Sequence, residues 1–178
     1  MNHFEIEDAL STFRIIVDTR EQETPKAADR YKSFGVPYER RTLDYCDYCG
    51  DITLPGQKSL YLPDASIKAR CVIERKMNLD ELAGCFTRGR DRFEREFERA
   101  VSNNARVFLL VENASWEAIY GKRYRSKFTP KAFTASLVAW SIRYGITPIF
   151  CKADTSGKVI KEILYRDMKE RLERGELG

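Results

Sequence analysis

An acid and an amine two residues apart close one apolar run of this chain, Val72-Ile73-Glu74-Arg75-Lys76. If the run is a strand, Glu74 and Lys76 point to one face and Arg75 to the other. A carboxylate and an ammonium side by side at a strand end suit metal-dependent phosphodiester chemistry. The acid holds a divalent cation, and the lysine steadies an attacking water or the charge that builds on phosphate. The same stretch equally fits a solvated strand terminus with an ordinary ion pair. A second apolar run, Ile15-Ile16-Val17, ends in Asp18-Thr19-Arg20-Glu21, again acid, base and acid. Between them lies Leu43-Asp44-Tyr45-Cys46-Asp47-Tyr48, and Asp80 follows Lys76 by four residues. Carboxylates converging from separate strands repel one another unless a cation joins them, and oxygen donors of this kind suit Mg²⁺ or Mn²⁺.

Asp18-x-Arg20-Glu21 followed downstream by Glu74-Arg75-Lys76-x-x-x-Asp80 resembles the nuclease domain of XPF-type structure-specific endonucleases. The family's middle motif is Gly-Asp within Leu-x-x-Gly-Asp-Tyr. Two segments compete for it. Leu43-x-x-Cys46-Asp47-Tyr48 keeps the leucine, aspartate and tyrosine but puts cysteine in place of glycine. Gly50-Asp51 supplies the literal dipeptide without the leucine. Asp47 is the preferred choice, with Gly50-Asp51 then expected in a turn. The resemblance implies a restriction-endonuclease-like α/β core, a central mixed sheet flanked by helices on both faces. It implies Asp18, Glu21, Asp47 and Glu74 as metal ligands and catalytic acids with Lys76 beside them, and Arg20, Arg75 and Asp80 in support. Asp80 would cap the next helix or tie Arg75 or Arg20 into position. The resemblance further implies Mg²⁺- or Mn²⁺-dependent cutting of DNA at branches, flaps or junctions, with a homodimer, helicase or other DNA-binding partner. The alternative in another class is a non-catalytic DNA-structure-binding subunit, although such pseudonucleases lose acids that Asp18 and Glu74 retain here.

Basic residues gather in two places, Arg88-Gly89-Arg90-Asp91-Arg92 and Lys122-Arg123-Tyr124-Arg125-Ser126-Lys127. The second interleaves an aromatic ring, which suits a nucleic-acid backbone with one stacking surface. Each is also compatible with a solvated helix end. Glu94, Glu96 and Glu98 follow the first cluster and are expected to pair with arginines on the helix surface.

The composition bounds these readings. A chain of 178 residues, 43% hydrophobic and 33% charged, is globular, the size of one domain, with net charge only +4. We expect one nuclease domain over residues 1–178, with its motif-bearing core at about 14–112 and a helical part at about 115–178. It reads as a compact, bacterial or phage-like version without a helix-hairpin-helix module. No segment approaches the roughly 18 apolar residues of a membrane helix, and the start lacks signal-peptide character. A cytoplasmic location is expected, nucleoid-associated in a bacterium. Five cysteines without an export signal argue for thiols. Cys46-x-x-Cys49 lacks the second pair or histidines of a structural zinc site. The single histidine disfavours Ser-His-Asp and Cys-His mechanisms.

Periodicity predicts strands at 14–20, 38–48, 71–76, 107–111 and 146–151. Helices are expected at 24–34, 79–87, around Phe93–Val101, after Ser115, from Pro130 to Gly145 and at 159–172. The stripe Phe133, Leu137, Trp140 and Tyr144 reads as core.

Overall fold

The computed structural model describes residues 1–56 and 58–177. The elements are, in order, α1 (His3–Ser11), β1 (Arg14–Asp18), α2 (Pro25–Ser33), β2 (Tyr38–Arg41), β3 (Tyr48–Asp51), β4 (Thr53–Leu54), β5 (Lys58–Ser59), β6 (Cys71–Lys76), α3 (Leu79–Phe86), α4 (Arg90–Ser102), β7 (Arg106–Glu112), α5 (Trp116–Tyr120), α6 (Pro130–Tyr144), β8 (Thr147–Cys151) and α7 (Ser156–Glu173). Asn2, Thr24, Asn78, Ser115 and Thr129 cap helix starts through their side chains, and Gly145 closes α6 with a left-handed φ of 63°.

Six strands form one mixed sheet in the order β2-β1-β3-β6-β7-β8, and β4 and β5 make a small separate hairpin. Strand β3 lies antiparallel to both neighbours, whereas the β1–β2, β6–β7 and β7–β8 pairs are parallel. All strands of the sheet except β3 therefore run the same way. The ends of β1, β6 and β7 lie at one edge of the sheet, and the start of β3 joins them there.

Side-chain alternation divides the core into two layers. Ile16, Cys49, Val72, Val107, Leu109 and Val111 face one side, packed against α3, α4 and α6. Ile15, Val17, Tyr48, Ile73 and Leu110 face the other, against α1, α2 and α7. An aromatic group fixes the first layer, with Trp140 of α6 meeting Phe86 at 5.0 Å, Phe93 at 5.4 Å and Phe97 at 5.8 Å between ring centroids. In the second layer, Gly157 at the start of α7 touches α2.

Three local expectations need correction. The single strand expected over 38–48 is two strands on opposite sides of β1. Alternation of Leu43 and Tyr45 mimics a strand, but these residues are buried by the crossing itself: Leu43 bridges to Ile67, and the Tyr45 hydroxyl donates to the Ala69 carbonyl at 2.7 Å. Gly50 and Asp51 form no turn but lie inside β3, where a Cβ on Gly50 would come within 3.0 Å of the Phe13 ring. Helix α1 was not expected, although Asn2 and Glu5 form a capping box that announces it. Among the described residues no helix is long and apolar enough to cross a membrane.

A methyl group on Gly157 would overlap Ser33 Oγ and the Arg30 carbonyl. Gly157→Ala is therefore expected to destabilise the protein by about 1–3 kcal/mol, the usual cost of overfilling a packed contact. Urea denaturation measures it.

Candidate active site

The sheet topology explains why acids distant in sequence meet. The Asp18 amide donates to the Asp47 carbonyl at 2.8 Å, and the Asp47 amide donates to the Ile73 carbonyl at 3.0 Å. Asp18, Asp47 and Glu74 thus stand level on adjacent strands. Asp51 lies four residues further along β3, roughly 13 Å away in an extended chain. There it is buried and paired with Arg14.

Alternation along β6 sends its three charges where the strand reading expects. Glu74 and Lys76 turn toward the α3 and α4 side and pair with each other. Both are buried, and the Lys76 ammonium sits 5.1 Å from the centre of the Phe93 ring. Arg75 turns to the opposite face, where its guanidinium makes a two-pronged contact with Glu112, each bond 3.0 Å.

A cavity of about 570 Å³ opens over the α3 and α4 side of this strand edge. Asp47, Glu74, Lys76 and Glu21 line it, together with Glu81, Cys85 and Glu96. Arg20, Arg92, Arg95 and Arg99 also contribute to its wall. Asp47 accepts the Arg75 amide proton at 2.7 Å. Glu74 Oε2 is buried without any hydrogen-bond partner. An orphaned carboxylate oxygen beside further carboxylates fits a hard divalent cation, so the donor set agrees with the family-implied Mg²⁺ or Mn²⁺.

The remaining expected site residues are placed differently from one another. Asp18 does not line the cavity; its carboxylate accepts from the Arg20 and Leu43 amides at 2.7 and 2.8 Å and from the Arg20 guanidinium. Arg20 is thereby committed to an internal pair. Glu21 Oε1 accepts from Arg30, Tyr48 and Arg75 at 3.3, 3.0 and 3.3 Å. Asp80 neither caps α3, since Asn78 does, nor touches Arg20 or Arg75. It accepts from the backbone amides of Arg125 and Ser126 at 2.7 and 2.8 Å, and so anchors the second basic segment to α3.

The two basic clusters also separate. From the first, Arg92 lines the cavity, Arg90 lies over the Trp140 ring at 5.4 Å, and Arg88 is exposed. In the second, Arg123, Arg125 and Lys127 are exposed, but the Lys122 amine bonds the carbonyls of Ser126 and Phe128. Tyr124 is half-buried: it packs edge-on against Phe133 at 5.1 Å, lies under the Lys122 amine and donates to the Phe128 carbonyl.

Several site residues escape the sequence reading. Arg95 and Arg99 join Arg92 on the cavity side of α4, a spacing of three and four that helical periodicity could have revealed. Glu96, expected on the surface, instead accepts the Cys46 amide proton at 2.8 Å. It follows Phe93 by three residues and so borders the buried stripe. Arg30 and Glu112 are buried and bonded at 3.0 Å across 82 positions of sequence, which no local pattern signals.

Electrostatics follow from this crowding. Burial, then the nearby Glu21 and Glu96, push the Asp47 carboxyl up to about 7, against the pull of Lys76 and the Arg75 amide. Burial and Asp47 likewise raise Glu74. Burial opposes the Lys76 ammonium, yet Glu74 and Asp47 outweigh it and hold the proton there. A carboxyl that binds its proton more tightly folded than unfolded lowers stability as pH rises between the two values. Without divalent cation, thermal stability is expected to fall as pH climbs from about 4 toward 7, and Asp47→Asn should flatten that decline. Melting curves over this range check it.

A family model described as the ERCC4 domain matches residues 17–163. Among solved structures, XPF from Aeropyrum pernix superposes with a TM-score of 0.61 at 20% identity over 92% of this chain and 69% of that one. The same archaeal protein in complex with DNA gives a TM-score of 0.61 at 22% identity over 89% of this chain. This chain spans 66% of that second structure's length, just under two thirds. No curated protein matches significantly in sequence. With a strand edge that gathers Asp47, Glu74 and Lys76, and a family model that spans most of its length, the chain belongs to the ERCC4 domain family.

Proposed function

We propose that this protein is a metal-dependent DNA endonuclease that hydrolyses phosphodiester bonds at branched, flapped or junction DNA. The carrying observation is the cavity in which Asp47, Glu74 and Lys76 meet, with one Glu74 oxygen buried and unpaired. Asp47 and Glu74 would hold Mg²⁺ or Mn²⁺, with Glu21 on the same wall. When bound, the cation supplies Lewis-acid polarisation and neutralises charge at phosphorus.

The chain's own groups divide the remaining work. Lys76, kept protonated by its acidic neighbours, donates to a phosphate oxygen or holds the attacking water as negative charge develops. Its aliphatic stem and the Phe93 ring exclude solvent from the base of the cavity. Asp18 positions the site through the Arg20 and Leu43 amides, and Arg75 positions Asp47 through its own amide. Arg92, Arg95 and Arg99 form a cationic rim for backbone phosphates, which position DNA without reading its sequence. Arg88, Arg90, Arg123, Arg125 and Lys127 would add further phosphate contacts, and Lys122 shapes the loop that carries three of them. The DNA complex of the archaeal XPF supports the substrate class. The two core layers share one sheet, which supports a single nuclease unit over the described residues.

A cleavage assay with linear, flapped and four-way DNA and added Mg²⁺ or Mn²⁺ tests this reading. Glu74→Gln and Asp47→Asn are each expected to reduce the rate at least about a hundredfold, the loss typical of one preorganised charge contact. Asp51→Asn, remote from the cavity, should retain cutting. Tight branched-DNA binding by the wild type without cleavage under either cation would instead establish a structure-binding subunit.

A further inference from the structure

Cys46 stands out among the cavity's neighbours for both conformation and company. Its φ of 62° lies in the left-handed region, where glycine is accommodated without cost and a side chain is not. Its thiol is buried, and Sγ lies within 4.8 Å of carboxylate oxygens of both Glu74 and Glu96. These are, among the described residues, the three side chains close enough together to share one ion; Cys49 is not one of them. Two contacts hold the trio in register: Glu96 accepts from the Cys46 amide, and Glu74 pairs with Lys76. The other Glu74 oxygen is buried with no hydrogen-bond partner. That unpaired oxygen, on a side chain only 4% exposed, points to a missing electropositive ligand.

The chemistry of the trio differs from that of Asp47 and Glu74. Two carboxylates alone favour a hard ion. Adding sulfur moves the preference toward thiophilic cations, because thiolate is a soft donor that Mg²⁺ binds poorly and Zn²⁺ or Cd²⁺ binds well.

We propose that Cys46, Glu74 and Glu96 form a second metal site for thiophilic divalent cations, one that shares Glu74 with the hard-cation site. Occupancy withdraws Glu74 and so suppresses cleavage. Binding at the trio stands on geometry alone, whereas the suppression rests on the proposed function.

Titration of the metal-free 178-residue chain with Cd²⁺ or Co²⁺ tests this through the thiolate-to-metal charge-transfer absorption. A saturable, stoichiometric band is expected. Cys46→Gly should abolish it, with folding verified by circular dichroism, since glycine suits the local φ. Glu96→Gln should weaken binding at least about tenfold, no less than the loss of an outer partner costs, and Cys85→Ser should preserve the band. No band in the wild type, or one that survives Cys46→Gly and disappears with Cys85→Ser, overturns the proposal. In a parallel arm, Zn²⁺ is added to Mg²⁺-supported cleavage, each protein scaled to its own uninhibited rate. The half-inhibitory concentration should rise at least about tenfold in Cys46→Gly. A chain that binds Cd²⁺ through Cys46 yet cuts no DNA removes the proposed function and leaves this site standing. A chain that cuts with Mg²⁺ but gives no band does the reverse.

Discussion

Negative charge confined at one sheet edge governs the organisation of this molecule. Asp47 and Glu74 share a cavity with one ammonium, that of Lys76, and with the guanidinium groups of Arg92, Arg95 and Arg99 on its wall. The fold tolerates this arrangement because each acid is held by groups that cannot move away. Asp47 is pinned through three backbone bonds, and Glu74 is wedged against a lysine backed by Phe93. Burial first, and then neighbouring carboxylates, raise the proton affinity of Asp47 and Glu74. Carboxyls held in this way lower the stability of the fold when they ionise.

The opposite face of the sheet carries the compensating network. Arg75 and Arg30 lie between Glu112 and Glu21, joined by bonds of 3.0 to 3.3 Å. Two arginines and two acids balance within this network, and Glu21 also reaches the cavity wall. Since Arg75 lies between Glu74 and Lys76 on β6, its pairing below fixes the strand that carries the cavity groups above. Its amide also supplies a hydrogen bond to Asp47. A single residue thereby couples the two layers.

Much of this was legible from strand chemistry. Apolar runs that end in charge marked β1 and β6, and alternation correctly separated Glu74 and Lys76 from Arg75. The family resemblance, not strand chemistry, favoured Asp47 over the literal Gly50-Asp51 pair; Asp47 lines the cavity and Asp51 does not. What escaped was non-local. Arg30 reads as an ordinary helical arginine until Glu112 is brought beside it. Glu96 reads as one of three alternating surface acids, because its distinction depends on where α4 crosses the sheet. Leu43 and Tyr45 imitate a strand since burial by a crossing segment produces the same alternation as burial by a sheet. Asp80 has a caplike position, but Asn78 occupies that role and frees it to anchor a distant loop.

Helix α7 illustrates how one face of the sheet depends on a segment remote in sequence. Ile160, Leu164, Met168 and Leu172 complete the layer that covers Ile15, Val17, Tyr48 and Ile73, and Gly157 abuts the helix bearing Arg30. Removal of α7 would expose that side of β1, β3 and β6 to water. The rigidity of the strands that carry Glu74 and Lys76 thus depends on a helix packed against the opposite face of the sheet from the cavity.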